Sequence, residues 1–506
     1  MQVRILLLLA LLVSFYSSSA FAGRQPPPGP RDMEPPYLTQ HGTHELPPRY
    51  QPPPGPGAMA RLAYWNDVAL RANAVDNTPS MAARDPRTAE QLGPVRSARA
   101  MAIVQIAVYD AVNAIAHRYP GYSGTLPAFS DSSVDVAIAQ AAHDALVVLY
   151  PGQAPRIDAW LVADLARLPG GRAKLNGIDI GRRAAAAILA LRANDGAQVD
   201  DPIVGIDHTV SPDPGHWRPD PVSRILVALG AYGGRIKPFV LHAVERYRPP
   251  PPPSLKSEAY ARAFNEVKQF GGDGLTTPTL RTQEQTVVGI FWGYDGTAWV
   301  GSRPRLYNQI TVQLALHRTS DALELARTLA LVNVAIADAS IAVWDAKYFY
   351  DFWRPVTAIR EASPGVGPTG VGNGNPATAG DPGWTPLGAP ASNLVGPNFT
   401  PPFPSYASGH ASLGSAMFHM MRRLLGDRLP FTFVSDEFNG ITRDNHGNVR
   451  PRLPRTYGSL SQAEEENGQS RIYLGIHWQF DKTAGMNMGR RVADEVFQRG
   501  LVQPAN

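Results

Sequence analysis

Residues 404–425 read PSYASGHASLGSAMFHMMRRLL. Leu413, Met417, Met420, Met421 and Leu424 recur at the spacing of one helix face, so this stretch predicts a helix that begins near Ser408. Ser is a favoured N-cap, and the Pro-rich approach to it cannot extend the helix backwards. The methionines belong to a core-facing stripe. The same period recurs upstream. Ala98–Ile115 puts Met101, Val104, Val108, Val112 and Ile115 near one face, and Val134–Leu149 and Ile178–Ala193 are Ala-rich segments of the same kind. No strand alternation runs through the first half. Further helices are expected at 255–270, 281–293, 304–316, 320–346, 461–474 and 481–498. The chain reads as all-α, two packed helical bundles with the active site in the C-terminal one.

The 506 residues exceed one ordinary core. There are 46 Gly and 48 Pro, which requires long irregular segments; 202–222 and 361–404 are the clearest. The second is long enough for a functional loop. The five-proline run Pro249–Pro253 stops any helix, so an N-terminal bundle over 58–248 and a catalytic bundle over 254–506 are expected. A net charge of +4 gives no footprint for nucleic acid. With 0 Cys, disulfides, thiolate metal sites and a Cys nucleophile are excluded. Residues 1–22 read as a secretory signal: Arg4, the apolar run Ile5–Val13, then Ala20-Phe21-Ala22 as a cleavage pattern. The mature protein is then exported. Residues 23–57 carry PPPGP at 26–30 and 52–56, an extended leader or linker. Leu329–Trp344 is apolar, but Asn333, Asp338 and Ser340 mark it as a core helix, so no span is expected in the mature chain.

Three segments of the second half collect cations and histidines. Lys347 and Arg354 are seven apart, two turns along one helix face, among aromatic residues. They suit an anion, or a plain salt-bridged face with Asp351. In the second segment, Ser408 and Gly409 open the helix described above. Free N–H groups, the positive end of the helix dipole and a glycine permitting close approach make an oxyanion seat, with His410 beside it. The alternative is an ordinary cap with a packed His. In the third, Arg471 and His477 converge only if the helix stops between them. Gly475 is a suitable stop, and Asp481 stands one turn beyond His477, able to orient its ring. Taken together these residues suit a tetrahedral oxyanion.

K-x6-R-P, then P-S-x-x-S-G-H, then S-R-x5-H-x3-D resembles the family that joins vanadium-dependent haloperoxidases to bacterial acid phosphatases and phosphatidate phosphatases. Trp292–Gly296, Arg305–Gln309, Phe352–Pro355, Pro401–Pro404, Glu437–Gly440 and Gly475–Asp481 resemble its chloroperoxidase branch. The resemblance implies vanadate as cofactor, with His477 as its protein ligand. Lys347, Arg354, Arg471, the Ser408 hydroxyl and the Gly409 amide would bind its oxygens, and His410 would serve as acid–base. Asp295 would steady Arg471, and Trp344 and Phe403 would line the halide path. The implied reaction is oxidation of a halide (bromide, and chloride in addition) by hydrogen peroxide, giving hypohalous acid for an organic acceptor. A second reading keeps the pocket for phosphate: an acid or phosphatidate phosphatase acting through a phosphohistidine at His477. The segment 441–470 is shorter than in fungal relatives, and its His446 is expected to be an inert loop residue.

Overall fold

The computed structural model describes residues 57–78 and 90–501; the expected signal and the leader up to residue 56 lie outside them. In the first half the chain forms α1 (Ala58–Asp76), α2 (Pro94–Ala116), α3 (Val134–Leu149), α4 (Ala154–Leu165) and α5 (Arg172–Arg192). The second half begins with α6 (Glu258–Phe270), α7 (Gln283–Phe291), β1 (Asp295–Thr297), β2 (Gly301–Ser302), α8 (Arg303–Leu316), α9 (Ala322–Tyr350) and α10 (Pro355–Arg360). It closes with α11 (Gly409–Leu425), β3 (Phe431–Asn439), β4 (Arg452–Tyr457), α12 (Leu460–Tyr473) and α13 (Gln479–Arg499). The all-α expectation holds, with two antiparallel hairpins inserted between helices. Two helices, α4 and α10, stand where the hydrophobic period is too short to announce them.

Local chemistry sets the helix ends. Thr282 and Gln285 form a reciprocal capping box on α7. The Asp321 carboxylate accepts from the amides of Leu323 and Glu324 to start α9, and α9 ends at Asp351 in a left-handed conformation. Twenty-nine residues make α9 about 43 Å long. It packs against α2 of the first half and against α11 and α13 of the second. The apolar core is therefore continuous through both bundles. Both α2 and α9 are long and apolar enough to cross a membrane, yet 94% of the apolar window of each is buried in the protein. As expected, Leu329–Trp344 lies in the core.

The irregular segments are pinned by polar contacts. Between residues 202 and 241 the first half runs across the second: the Leu229 amide donates to Pro402 O at 3.0 Å and the Trp217 amide to Asp351 O at 2.8 Å. The Asp338 carboxylate, buried in mid-α9, accepts from the amides of Phe239 (2.6 Å), Val240 (2.8 Å) and Leu241 (3.0 Å). Within 361–404, Asn375 Nδ2 donates to Leu255 O at 2.7 Å, and Asp220 accepts from the Thr400 amide at 3.0 Å. These bonds place the Pro401–Pro404 approach over the end of α9.

Candidate active site

The N-terminus of α11 is the floor of the site. Ser408 caps it, its Oγ accepting from the Ala411 amide at 3.4 Å, which leaves the hydroxyl proton for another acceptor. The Gly409 amide is among the first N–H groups of the helix, which have no partner inside it. A Cβ on Gly409 would stand 2.9 Å from Trp344 Cζ3 and 3.1 Å from Cη2, so only glycine allows this approach.

Lys347, on the last turn of α9, is fully buried. Its Nζ donates to the carbonyls of Pro404 (2.9 Å), Ser405 (2.9 Å) and Ala407 (2.6 Å). Burial first, then Arg354, pushes its pKa well below the usual lysine value, but three carbonyl acceptors are satisfied only by an ammonium. The Lys347 side chain thus acts on the site as a held charge rather than through a spare N–H. The salt-bridged alternative fails. Asp351 caps α9, its amide donating to Lys347 O at 2.9 Å, while its carboxylate meets His216 Nδ1 at 2.9 Å and makes no ion pair with the Lys347 ammonium.

Arg354 follows the helix end. Its Nε donates to Phe403 O at 2.9 Å and its Nη1 to Ile476 O at 2.8 Å. Nη2 is buried with no protein partner. Burial pushes the guanidinium down to about 9. The Phe403 ring packs between the two cations, 4.8 Å from Arg354 Cζ and 5.1 Å from Lys347 Nζ, and 5.0 Å from the Trp344 ring.

The third segment turns as its glycine predicts. α12 carries Arg471 and ends at Tyr473; Gly475 has φ +72° and touches Gly271, where a Cβ would lie 2.4 Å from the Gly271 carbonyl oxygen. His477 then faces inward. Its Nδ1 lies 2.8 Å from Asp481 Oδ2, and Asp481 also accepts from the Trp478 amide at 3.2 Å and from Ser405 Oγ. A carboxylate fixes the proton on Nδ1 and leaves the Nε2 lone pair, which accepts from Arg354 Nη1 at 3.0 Å. Burial and the surrounding Arg354 and Lys347 charges hold His477 well below the usual histidine value, so it is neutral. Burial raises Asp481 to about 6.

Arg471 donates through Nη1 to Asp295 Oδ2 at 2.8 Å and through Nη2 to Trp292 O at 3.1 Å. Asp295 steadies it as expected, and also holds Arg303, whose Nη2 reaches Asp295 Oδ1 at 2.7 Å. Arg303 is a residue of this pocket that sequence spacing missed. It enters through the β1–β2 hairpin, where Asp295 pairs with Ser302. The available signal was Ser302-Arg303-Pro304, a helix start eight residues after Asp295. His410 is fully buried; its Nδ1 faces Arg303 Nε at 2.8 Å, and its Nε2 has no partner. Burial, Arg471 and Arg303 push it well below the usual value. His446 is exposed at a hairpin tip, apart from these residues.

The enclosed balance is four cations (Arg303, Lys347, Arg354, Arg471) against Asp295 and Asp481, with both histidines neutral. Two positive charges are left uncompensated. At an effective dielectric of about 20, each attracts an anion charge about 4 Å away by about 4 kcal/mol. Among the described residues no group of three or more His, Asp or Glu side chains gathers to hold a cation. Vanadate fits what is present: an oxyanion for the charge, the unpartnered Arg354 Nη2 and His410 Nε2, a glycine-lined helix end, and one imidazole lone pair to ligate its centre.

A two-bundle helical protein with this pocket is built to suit an oxyanion, with one neutral imidazole nitrogen set among guanidiniums. Comparison with known proteins narrows the class. The family model for the second helical-bundle domain of vanadium chloroperoxidase matches residues 327–503. Vanadium chloroperoxidase of Curvularia inaequalis is 30% identical over 519 residues, covering 84% of this chain and 80% of that protein. The chain belongs to the vanadium chloroperoxidase family. Its fold is also that of a solved bacterial vanadium-dependent iodoperoxidase (TM-score 0.66, 22% identity, 91% of this chain and 99% of the other). A solved apo-type bacterial vanadium-dependent chloroperoxidase shares it as well (TM-score 0.60, 18% identity, 81% and 95%).

Proposed function

We propose that this protein is a vanadium-dependent haloperoxidase, oxidising halide with hydrogen peroxide. The observation that carries the reading is the pairing of a neutral, carboxylate-oriented His477 with the unpartnered Arg354 Nη2 inside a pocket of excess positive charge. His477 Nε2 is the ligand for vanadium once its lone pair, which accepts from Arg354 Nη1 here, turns to the anion. Arg354 Nη2, the Ser408 hydroxyl and the Gly409 amide hold the oxyanion oxygens, and Arg471 and Lys347 supply charge. When bound, vanadate activates hydrogen peroxide as a Lewis acid without changing its own oxidation state. Asp481 keeps His477 in the ligating tautomer, and His410 offers a polar ring atom to the same anion. Trp344 and Phe403 exclude water beside Lys347 and Arg354, which strengthens the field of both cations. That dry, cationic wall supports bromide as substrate and chloride in addition.

The test is to add orthovanadate to the purified protein, then assay peroxide-dependent bromination beside phosphatase activity. Bromination that depends on vanadate is the expected result. Phosphate-ester hydrolysis without bromination refutes the reading and favours the phosphohistidine alternative. Export belongs to the same proposal. The secreted protein should begin at Gly23 by N-terminal sequencing, and recovery of an intact Met1 terminus would reverse it.

A further inference from the structure

Arg303 opens α8 and is 4% exposed. Hairpin pairing of Asp295 with Ser302 brings the next residue, Arg303, beside the Asp295 carboxylate. One carboxylate therefore fixes two guanidiniums: Oδ1 accepts from Arg303 Nη2 at 2.7 Å and Oδ2 from Arg471 Nη1 at 2.8 Å. With Nη2 held in this way, the Nε edge of Arg303 is turned onto His410 Nδ1 at 2.8 Å.

That contact decides a proton. A guanidinium has only donors, and it stays protonated in proteins. A neutral imidazole carries one N–H and one lone pair. The nitrogen facing Arg303 Nε–H must present the lone pair, so the ring proton sits on Nε2. His410 Nε2 is buried and has no hydrogen-bond partner. A second proton on Nδ1 would set two donors head to head beside a fixed guanidinium, and Arg471 adds charge of the same sign. The backbone is held too: Tyr307 Oη donates to His410 O at 3.0 Å and Asn467 Nδ2 donates to it at 3.3 Å.

We propose that Arg303 is a positioning residue that locks His410 as the neutral Nε2–H tautomer, making His410 a hydrogen-bond donor to the oxyanion. The proposal rests on the reading that His410 faces the bound anion. It also revises the part expected of His410. A base at Nε2 needs a lone pair there, and the Arg303 bond places a proton there instead. Asp295, through its grip on Arg303 Nη2, sets the tautomer of a histidine it does not touch.

The test is nitrogen NMR of histidine-labelled protein without vanadate, with the His410 signals assigned by their loss in His410→Gln. Wild type should show a protonated Nε2 and an unprotonated Nδ1. Arg303→Met removes the donor at similar length. If that variant does not fold, Arg303→Met combined with Asp295→Asn keeps the enclosed charge and still removes the contact. In either variant the His410 signals should move toward a mixture of tautomers. Orthovanadate affinity, measured by calorimetry, should fall about tenfold, the lower end of what loss of a ligand-orienting partner costs. A wild-type His410 protonated on Nδ1, or variants that keep the wild-type signature, overturns the proposal. Failure of wild type to bind orthovanadate overturns the functional reading instead, while the tautomer signals still decide the role of Arg303.

Discussion

Gly409→Ala probes how tightly the oxyanion seat is built. The added methyl would stand 2.9 Å from Trp344 Cζ3 and 3.1 Å from Cη2. Ordinary contact begins about 0.5 Å further out, and the indole has nowhere to go. It lies 5.0 Å from the Phe403 ring, centroid to centroid. Its Nε1 donates to Leu229 O at 3.2 Å, and its far edge abuts Gly230, where a Cβ would sit 2.2 Å from Nε1. Overpacking costs about 1–3 kcal/mol, and loss of the indole hydrogen bond adds about 1 kcal/mol. Replacing glycine by alanine in a helix returns at most about 1 kcal/mol. The net expectation is a destabilisation of about 1–3 kcal/mol in urea unfolding followed by circular dichroism. Trp344→Phe removes the offending ring edge, so in that background Gly409→Ala should be close to neutral. The double-mutant cycle should then give a coupling of about 2 kcal/mol. Equal costs in both backgrounds, with coupling under about 0.5 kcal/mol, refute the steric account.

His477→Ala should abolish orthovanadate binding by calorimetry, whereas His410→Ala should still bind it, about tenfold or more weakly for want of its donor, and lose most bromination. Equal affinities would sink this division of roles. Phe403→His places a polar, titratable ring between Lys347 and Arg354 and should lower chloride turnover more than bromide turnover in steady-state assays; an unchanged ratio removes Phe403 from halide choice. In the vanadate-free protein His410 is held well below its unfolded value near 6.5, so its contribution to stability is complete above that pH and is lost as pH falls below it. Below about pH 6, His410→Gln should therefore lose stability more slowly than wild type, by about 1.4 kcal/mol per pH unit in urea titrations; parallel curves contradict a neutral buried His410.

Much of the site was legible because its residues come from helix ends, where spacing and capping obey strong rules. Ser408 as N-cap, Gly475 as the stop after Arg471, and Asp481 one turn beyond His477 all stand where the sequence places them. Arg303 was hidden because it is delivered by a hairpin whose two strands total only five residues, with Tyr294 before it and Trp299 in its turn at positive φ and no apolar alternation. The β3–β4 hairpin was hidden for a related reason. The inward positions of β3 include Ser435 and Glu437, both fully buried, so the apolar period breaks half way. Glu437 is satisfied by Arg450 at 2.6 Å and by the Tyr294 amide at 3.1 Å. The cage around Lys347 had no sequence signal either, since its acceptors are main-chain carbonyls of a loop 57–60 residues away.

The grip of Asp338 on the amides of Phe239, Val240 and Leu241 has a meaning for the order in which this protein is made. The donors leave the ribosome 97–99 residues ahead of their acceptor. At about 5–20 residues per second, that interval is about 5–20 s. Throughout it three amides destined for burial face water, and the face of α2 that will meet α9 stays bare. The first bundle is therefore born incomplete, and it closes only when the middle of α9 arrives carrying a carboxylate for those amides and, nine residues later, the lysine of the active site.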